Sequence, residues 1–443
     1  MAILSAWLHG MIMNGRMRCA CLIWPICLQS RRDCSLGVRK KVSRMNEYKE
    51  KSFRDTCRDL NAGSTVLLRV DFNLSRDSTG CWLLNDRLYR VIPVIKQLLA
   101  MQFGVILVSH LGRPRPGVWE SSLSLSTLCE PLERLLGKSV TFLSDWPKQK
   151  TYLAAGSVAL AENTRFLVGE TDNNMRLAQH MVDGVDCVMM EAFACSHRRH
   201  ASTFGVLYAA KTWCLGPEHE KEIQGMDRFL QTSSPRVAFI GGKKISTKLP
   251  LLTKLLETVD VICFGGGIAS TLLHVKGYQT GTSWVEYSCR EQVAEFFHLA
   301  DRCSVKLVLP SDVQVSADNT DFRDPRVVAI DEILPHENIV DIGQASISSF
   351  VDHAESASSI YWNGPMGIYE YPSGIRGSAD LARAISNAHA YSLVGGGDTL
   401  SVLDKLGIHA FSHVSTGGGA FLHYLANGTT YVLDARTRLK ETV

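Results

Sequence analysis

Short apolar runs alternate with amphipathic segments along most of this chain, and no other feature of the sequence limits the fold as much. The run at 65–72 (TVLLRVDF) is typical of a strand, whereas 87–99 (RLYRVIPVIKQLL) carries apolar residues at helical spacing. The same reasoning predicts a helix at 125–137 and strands at 104–110, 139–143, 157–162 and 185–193. Strands that alternate with helices predict right-handed βαβ units and a parallel sheet.

The alternation pauses at 204–231, where a polar helix with a glycine-proline start suits a bridge between domains. Strand-then-loop units resume afterwards at 236–240, 259–264, 306–310, 359–364, 390–397 and 411–419. Because 443 residues exceed the usual size of one core, two domains are expected. The sequence therefore predicts an α/β protein of two doubly wound parallel-sheet (Rossmann-like) domains joined by a hinge helix. Ligands of such sheets lie at the C-terminal ends of the strands.

Residues 1–46 differ from the rest, because they hold eight Lys or Arg and a single acid, Asp33. This segment is either an organelle presequence or a spurious upstream extension with Met45 as the true start. The thirteen cysteines show no CxxC pairs, which favours a reducing compartment. We expect a cytoplasmic protein, with organelle import if the presequence is genuine. A net charge of +3 and apolar runs too short for a bilayer predict neither nucleic acid nor membrane as partner.

Four glycine clusters follow apolar runs in the second half, at 241–242, 265–267, 395–397 and 417–419. Glycine at a strand end lets the backbone approach a ligand, and a helix that starts there favours an anion. Four such loops predict one crevice for a polyphosphate or nucleotide.

Two charged groups accompany these glycines. In 241–248 (GGKKISTK), which is not a Walker A loop, a helix starting at the glycines would place Lys244 and Lys248 on one face, directed at phosphates or simply solvated. Asp398 either caps the helix after 395–397 or holds Mg²⁺, and the preceding glycines favour the metal.

The strand ends of the first half carry cations instead of glycines. Arg69 lies within a strand and fits a structural role, whereas Arg113, Arg165 and Arg198 follow directly on strand ends. A single arginine is more often solvated than functional, but arginines gathered at one sheet edge bind phosphate or carboxylate in bidentate fashion. The first half is therefore predicted to hold an anion and the second half a nucleotide.

The motifs RVDFN, SHLGRP, ENTRF, YWNGPMG, GGGDT and STGGGA resemble those of phosphoglycerate kinase, in the order and spacing of that family, over roughly 52–428. The resemblance implies reversible phosphoryl transfer from 1,3-bisphosphoglycerate to ADP, giving 3-phosphoglycerate and ATP, by a monomer with small-molecule partners. It implies a phosphoglycerate-binding domain (47–217), a hinge helix (218–231), a Mg-nucleotide domain (232–428) and a divergent C-terminal tail (429–443).

The resemblance also implies residue roles, carried over motif by motif. The substrate-binding set is Asp71, Asn73, Arg87, His110, Arg113, Arg165 and Arg198. The nucleotide-binding set is Gly242, Lys244, Lys248, Gly265, Gly266, Asn363, Pro365, Glu370, Gly396, Gly397, Asp398 and Thr399. The catalytic set is Arg87, Lys244, Gly395 and Gly418, and the Mg²⁺ ligand is Asp398.

The chain departs from the family pattern at several of these motifs. Lys243 stands where the family has a small residue, Thr247 where it has aspartate, and Glu191 where it has aspartate. The tail at 429–443 lacks the usual ending, which in the family folds back on the first domain. The departures motivate an alternative, a weakly active or non-catalytic paralogue that binds nucleotide. A Rossmann dehydrogenase is disfavoured, because no GxGxxG follows the first strand.

Overall fold

A computed structural model of the chain describes residues 52–148 and 150–440, with side chains to residue 435. The expected presequence or spurious extension at 1–46 lies outside the described residues. The predicted fold class is confirmed, because the chain forms two α/β domains, each built on a six-stranded parallel sheet. Within the part of the chain described, no helix combines the length and apolar character needed to cross a membrane.

The first domain contains a parallel sheet in the order β3-β4-β2-β1-β5-β6. Its strands are β1 (Thr65–Arg69), β2 (Gly104–Val108), β3 (Val140–Leu143), β4 (Val158–Ala161), β5 (Cys187–Met190) and β6 (Trp213–Leu215). Its helices are α1 (Phe53–Asp59), α2 (Asp86–Tyr89), α3 (Ile92–Ala100), α4 (Cys129–Leu136), α5 (Met175–Met181) and α6 (Val206–Ala209). Every residue of β1 is buried, and Leu67 and Leu68 pack into cores on opposite faces of the sheet.

The helix predicted at 87–99 is interrupted in the structure. It divides into α2 and α3, with Pro93 in the first turn of α3. Proline has no N–H to continue a helix but fits its first turn, so the second helix starts beside it. Asn85 caps α2 by accepting a hydrogen bond from the Arg87 amide at 3.1 Å. This cap fixes the backbone from which the Arg87 side chain projects.

The second domain contains a parallel sheet in the order β15-β14-β13-β7-β8-β9. Its strands are β7 (Arg236–Ile240), β8 (Val261–Phe264), β9 (Lys306–Val308), β13 (Ser359–Asn363), β14 (Tyr391–Gly395) and β15 (His413–Ser415). A small antiparallel sheet, which the sequence did not predict, comprises β10 (Asp312–Ser316), β11 (Arg326–Ala329) and β12 (Asn338–Ile342). The helices are α8 (Leu249–Leu255), α9 (Gly266–Val275), α10 (Arg290–Arg302), α11 (Gln344–Glu355), α12 (Arg376–Asn387), α13 (Gly397–Leu406), α14 (Gly419–Asn427) and α15 (Tyr431–Lys440).

The bridging helix predicted between the domains is present as α7 (Pro217–Gln231). Proline at its first position and Glu218 and Glu220 in its first turn suit a helix start. Its side chains reach the second domain, because Glu222 accepts a hydrogen bond from the Thr416 amide at 2.9 Å. At its N-terminus, the Glu218 amide donates a hydrogen bond to Glu191 of the first domain. The helix therefore contacts both domains.

The C-terminal tail folds back on the first domain, although its sequence lacks the ending that is usual in the family that the motifs resemble. The Val432 amide donates to the Ser196 carbonyl at 3.4 Å. The Arg199 guanidinium lies over the rings of Phe204 and Tyr431, at 4.9 and 5.7 Å from their centroids. An arginine over the face of an aromatic ring gains cation–π attraction. Arg199 thus joins the tail helix α15 to the first domain.

Candidate active site

The first half of the site lies at the C-terminal ends of β1 and β2. Arg87 Nη1 lies 3.1 Å from Asp71 Oδ2, and the carboxylate is nearly buried, with 9% of the side chain exposed. His110 is buried, with Nδ1 at 3.9 Å from Asp71 Oδ1. Asn73 Oδ1 accepts a hydrogen bond from the Gly112 amide at 2.9 Å, which joins the loops after the two strands. The structure therefore brings Asp71, Arg87 and His110 together.

Guanidinium groups surround His110. Arg69 Nη2 lies 3.3 Å from its Nδ1, and Arg198 Nη1 lies 3.0 Å from its Nε2. Burial, followed by the charge of Arg69, holds the pKa of His110 far below its ordinary value, so the ring is neutral. Burial and Arg198 also lower the pKa of Arg165. Cations crowded in this way favour an anionic ligand.

Ligand-type atoms of Asp71, His110 and Cys195 lie within 4.8 Å of one another. Burial raises the pKa of the Cys195 thiol to about 11, so it is not a thiolate at neutral pH. The arginines on both sides of His110 oppose a metal cation there. The cluster therefore fits an anion site better than a metal site. Arg113, the remaining predicted cation, is exposed on the loop after His110.

A small cavity separates this half-site from the hinge helix and the second domain. Its lining includes Asp71, Arg87, Arg90, Glu191, Ala194, Glu218, Glu222 and Thr416. Arg90 Nη1 donates to the Val414 carbonyl at 3.0 Å and so connects the two domains. Arg87 therefore lies beside Asp71 and also beside the second domain.

Glu191 is buried at the start of the hinge helix, where its Oε1 accepts a hydrogen bond from the Glu218 amide at 3.2 Å. Burial raises the pKa of Glu191 to about 8, although the Glu218 amide opposes the shift. Glutamate in place of aspartate therefore puts a carboxyl group that titrates near neutrality at the junction between domains.

This shift predicts a pH-dependent stability that Glu191→Gln removes. Between the ordinary glutamate pKa of about 4.5 and the folded value of about 8, the native state holds a proton that the unfolded state releases, so stability falls as pH rises. Because one pKa unit corresponds to about 1.4 kcal/mol, we expect Glu191→Gln to be more stable than the parent by at least ~1 kcal/mol above pH 8. Urea unfolding at pH 5 and pH 9 measures this. Parallel pH profiles for the two proteins would refute it.

The second half of the site is a cavity of about 510 Å³ at the C-terminal ends of β7 and β13. Five predicted nucleotide-site residues line it: Gly242, Gly266, Pro365, Glu370 and Asp398. An apolar wall includes Leu273, Trp284, Val313, Phe322 and Val340. A largely apolar cavity with a few polar groups in its lining is typical of a small-molecule site.

The helix expected to start at Gly241-Gly242 does not form there. The structure has an irregular loop at 243–248, with a turn at 246–248, and α8 begins only at Leu249. Pro250 explains the difference, because it would lie inside the predicted helix but is tolerated in the first turn of the observed one. Lys244 and Lys248 therefore do not share a helix face, and that prediction was wrong. Lys244 is exposed, and its carbonyl accepts a hydrogen bond from Thr247 Oγ1 at 2.9 Å.

Lys248 joins the loops after β7 and β13. Its Nζ donates to the carbonyls of Gly241 and Asn363 at 2.8 and 2.9 Å. Burial lowers the pKa of Lys248 to about 8, and the charge of Asp398 opposes that shift. The ammonium thus places a positive charge beside the cavity while it holds two strand-end loops together.

Asp398 lies in the first turn of α13 but does not cap it. Gly396 is the cap residue, and α13 has no side-chain cap hydrogen bond. The Asp398 carboxylate is exposed and lines the cavity, which suits a ligand of Mg²⁺. By contrast, Thr399 is buried. Its hydroxyl donates to the Gly395 carbonyl at 3.0 Å and accepts from the Gly364 amide at 2.6 Å.

The remaining predicted glycines differ in position. Gly265 is the cap of α9, and a Cβ there would lie 2.7 Å from Met366 Cα, so close packing requires glycine. Gly418 has φ +47°, a left-handed value that favours glycine, directly before α14. Its neighbours Gly417 and Gly419 approach Phe193 and His197 of the first domain. The fourth glycine cluster therefore lies at the junction of the two half-sites.

Sequence reasoning missed several residues that line the cavity. Trp284 lies in the loop between α9 and α10, whereas Phe322 and Val340 belong to the region of the small antiparallel sheet, which was not predicted. Asp341 is also buried there and accepts a hydrogen bond from the Gly377 amide at 2.7 Å. Burial raises the pKa of Asp341 to about 7. Trp284 shares its loop with other apolar and aromatic residues, so nothing local to the sequence distinguishes it as a cavity residue.

Two parallel-sheet domains, with a cation cluster in one and a glycine-lined cavity in the other, define a two-domain α/β phosphotransferase. Residues 57–428 match the family model described as "Phosphoglycerate kinase". The chain is 38% identical to phosphoglycerate kinase of Coxiella burnetii over 362 residues, covering 81% of this chain and 92% of the relative. It is 36% identical to that of Desulfovibrio desulfuricans over 365 residues, covering 82% and 93%.

Solved structures agree with the sequence matches. The phosphoglycerate kinase structure from Coxiella burnetii superposes with a TM-score of 0.79 at 37% identity, covering 86% of this chain and 98% of that one. The one from Pyrococcus horikoshii OT3 gives 0.74 at 26% identity, covering 87% and 99%. This chain belongs to the phosphoglycerate kinase family, a family of glycolytic phosphotransferases.

Proposed function

We propose that this protein catalyses reversible, Mg²⁺-dependent phosphoryl transfer from 1,3-bisphosphoglycerate to ADP, giving 3-phosphoglycerate and ATP. The observation that carries the proposal is the pairing of two different half-sites across one junction. The cations around His110 suit the phosphoglycerate, and the cavity lined by Gly242 and Asp398 suits the nucleotide. Arg87 lies between them, in a cavity that also contacts Thr416.

The proposed substrate contacts follow from the first half-site. Asp71, Asn73, His110 and Arg113 would hold the glycerate, and Arg165 and Arg198 its phosphate. Burial and then the charge of Arg198 lower the pKa of Arg165, and a bound anion would offset both effects, which supports this assignment. Asp71, already paired with Arg87, would hold that side chain near the substrate until transfer begins.

The proposed nucleotide contacts follow from the second half-site. The base and ribose would occupy the cavity between Gly266, Pro365 and Glu370, with Gly265 and Asn363 supporting its walls. The phosphates would lie toward Lys244, Lys248 and the amides at the start of α13 and α14, where helix N-termini favour anions. Mg²⁺, held by Asp398, would neutralise phosphate charge.

Phosphoryl transfer needs little covalent help, because alignment and charge neutralisation lower most of its barrier. Arg87, Lys244 and the N-terminal amides near Gly395 and Gly418 would stabilise charge that develops on the transferred group. Closure of the two domains about α7 would bring the ligands into line and exclude water, which would otherwise hydrolyse the acyl phosphate. The protein is further proposed to be a cytoplasmic monomer with small-molecule ligands only.

A coupled assay with ATP, 3-phosphoglycerate and Mg²⁺ tests the proposal by following formation of ADP. We expect ADP formation that depends on 3-phosphoglycerate, and loss of it when EDTA removes the metal. Folded protein that binds ADP but does not turn over would instead support the non-catalytic paralogue, which the substitutions at Thr247 and Glu191 motivate.

A further inference from the structure

Lys243 is a cation in the nucleotide cavity at a position where the family has a small residue. It directly follows Gly242, is exposed, and lines the same cavity as Trp284. Its Nζ lies 4.5 Å from the centroid of the Trp284 ring. The cavity therefore has a lysine–tryptophan pair at its edge in addition to Lys248.

The backbone beside Lys243 is fixed, so the position of this pair is defined. A Cβ on Gly267 would lie 2.7 Å from the Lys243 carbonyl oxygen and 3.3 Å from Trp284 Cδ1, so both residues pack on the start of α9. Glu286 accepts a hydrogen bond from the Ser246 amide at 3.0 Å and anchors the loop on its other side. The Lys243 side chain itself is exposed.

The positive charge of Lys243 makes only a weak interaction, a cation–π contact with Trp284. Among the described residues, no carboxylate forms an ion pair with its ammonium, which contacts only the face of Trp284. The Lys248 ammonium, by contrast, is held by two carbonyls. An exposed cation–π contact is weaker than a charge-assisted hydrogen bond to phosphate, so a phosphate oxygen in reach would capture the Lys243 ammonium.

The backbone at Lys243 lies one residue from the site of the Lys248 ammonium, which the proposed function places at the phosphates. A Cβ on Gly242, the preceding residue, would be 3.5 Å from Lys248 Nζ, and Asp398 lines the same cavity. We propose that Lys243 binds the phosphate chain of the nucleotide and so determines affinity for phosphorylated over unphosphorylated nucleosides, while Trp284 positions its ammonium at the cavity mouth. This inference rests on the proposed function, because it takes the cavity as the nucleotide site.

Calorimetric titration of the full chain with Mg-ADP and with adenosine tests the proposal. For Lys243→Ala we expect ADP to bind about tenfold more weakly, as for the loss of one charge-assisted hydrogen bond, and adenosine to bind unchanged. Lys243→Arg should retain most of the ADP affinity. Lys276→Ala is the matched control, because Lys276 also lies over a ring, with Nζ 5.0 Å from the Phe297 centroid, but away from this cavity.

Unchanged ADP affinity in Lys243→Ala would overturn the proposal. An equal loss of ADP and adenosine affinity would also overturn it, because that result indicates a damaged cavity rather than a lost phosphate contact. If the unaltered chain bound neither ligand, the proposed function would fail with it. Ligand binding by the parent protein therefore distinguishes failure of the Lys243 proposal from failure of the proposed function.

Discussion

Replacing Arg87 with alanine is expected to lower kcat by about 10²–10³ and to leave the Kd for Mg-ADP nearly unchanged, as for removal of one donor to developing charge. The reason is its position. Arg87 Nη1 is paired with Asp71 at 3.1 Å, in the cavity between the first domain, the hinge helix and Thr416, and outside the proposed nucleotide cavity. Steady-state kinetics measure kcat, and calorimetric titration with Mg-ADP measures the Kd.

Two further variants make the Arg87 result specific. Arg134→Ala removes an arginine of a surface ion pair, with Nη2 at 3.0 Å from Glu130 Oε1, and should leave kcat unchanged. Arg87→Lys keeps the positive charge but lacks the planar guanidinium, which can donate two parallel hydrogen bonds. It should therefore recover only part of the activity. If Arg87→Ala kept the parent kcat, the role assigned to Arg87 would be wrong.

Asp398→Asn is expected to reduce kcat/KM for Mg-ATP by about 100-fold, equivalent to ~2.7 kcal/mol, because it removes the charge of the proposed Mg²⁺ ligand. The substitution keeps the size of the side chain, and α13 does not use Asp398 as a cap, so the fold should be unaffected. In EDTA, the parent and the variant should bind ADP about equally. Comparing ADP binding with and without Mg²⁺ measures the difference.

Asp404→Asn provides the matched control for Asp398→Asn. Asp404 lies on the same helix and its side chain is 77% exposed, outside the cavity. It should leave both kcat/KM and the effect of Mg²⁺ unchanged. An Asp398→Asn variant whose ADP affinity still rose fully with Mg²⁺ would show that another group binds the metal.

The sequence predicted the two parallel sheets because their strands are covered on both faces and therefore read as continuous apolar runs. The same criterion failed at β6, which has only three residues, and at β11, where Arg326 and Val327 are exposed. The small antiparallel sheet was missed for this reason, and with it the part of the cavity's apolar wall that Val313 and Val340 form.

Motifs identified the candidate residues, but not what each side chain contacts. Nothing local to the sequence shows that Lys248 would be held by the carbonyls of Gly241 and Asn363, because those loops meet only once β7 and β13 pair. The Lys243–Trp284 pair likewise depends on how α9 packs against the loop after β7. The helix expected at Gly241 failed on a local rule, the position of Pro250.

A phosphoryl group is proposed to pass directly between ligands held by the two domains. A single-turnover experiment tests it, with excess protein, Mg²⁺, 3-phosphoglycerate and ATP labelled at the γ-phosphate, stopped by rapid quench. We predict that the label appears in an acid-labile acyl phosphate on the glycerate, and only when 3-phosphoglycerate is present. Label that stayed in ATP, or appeared as inorganic phosphate without the acyl phosphate, would contradict the account.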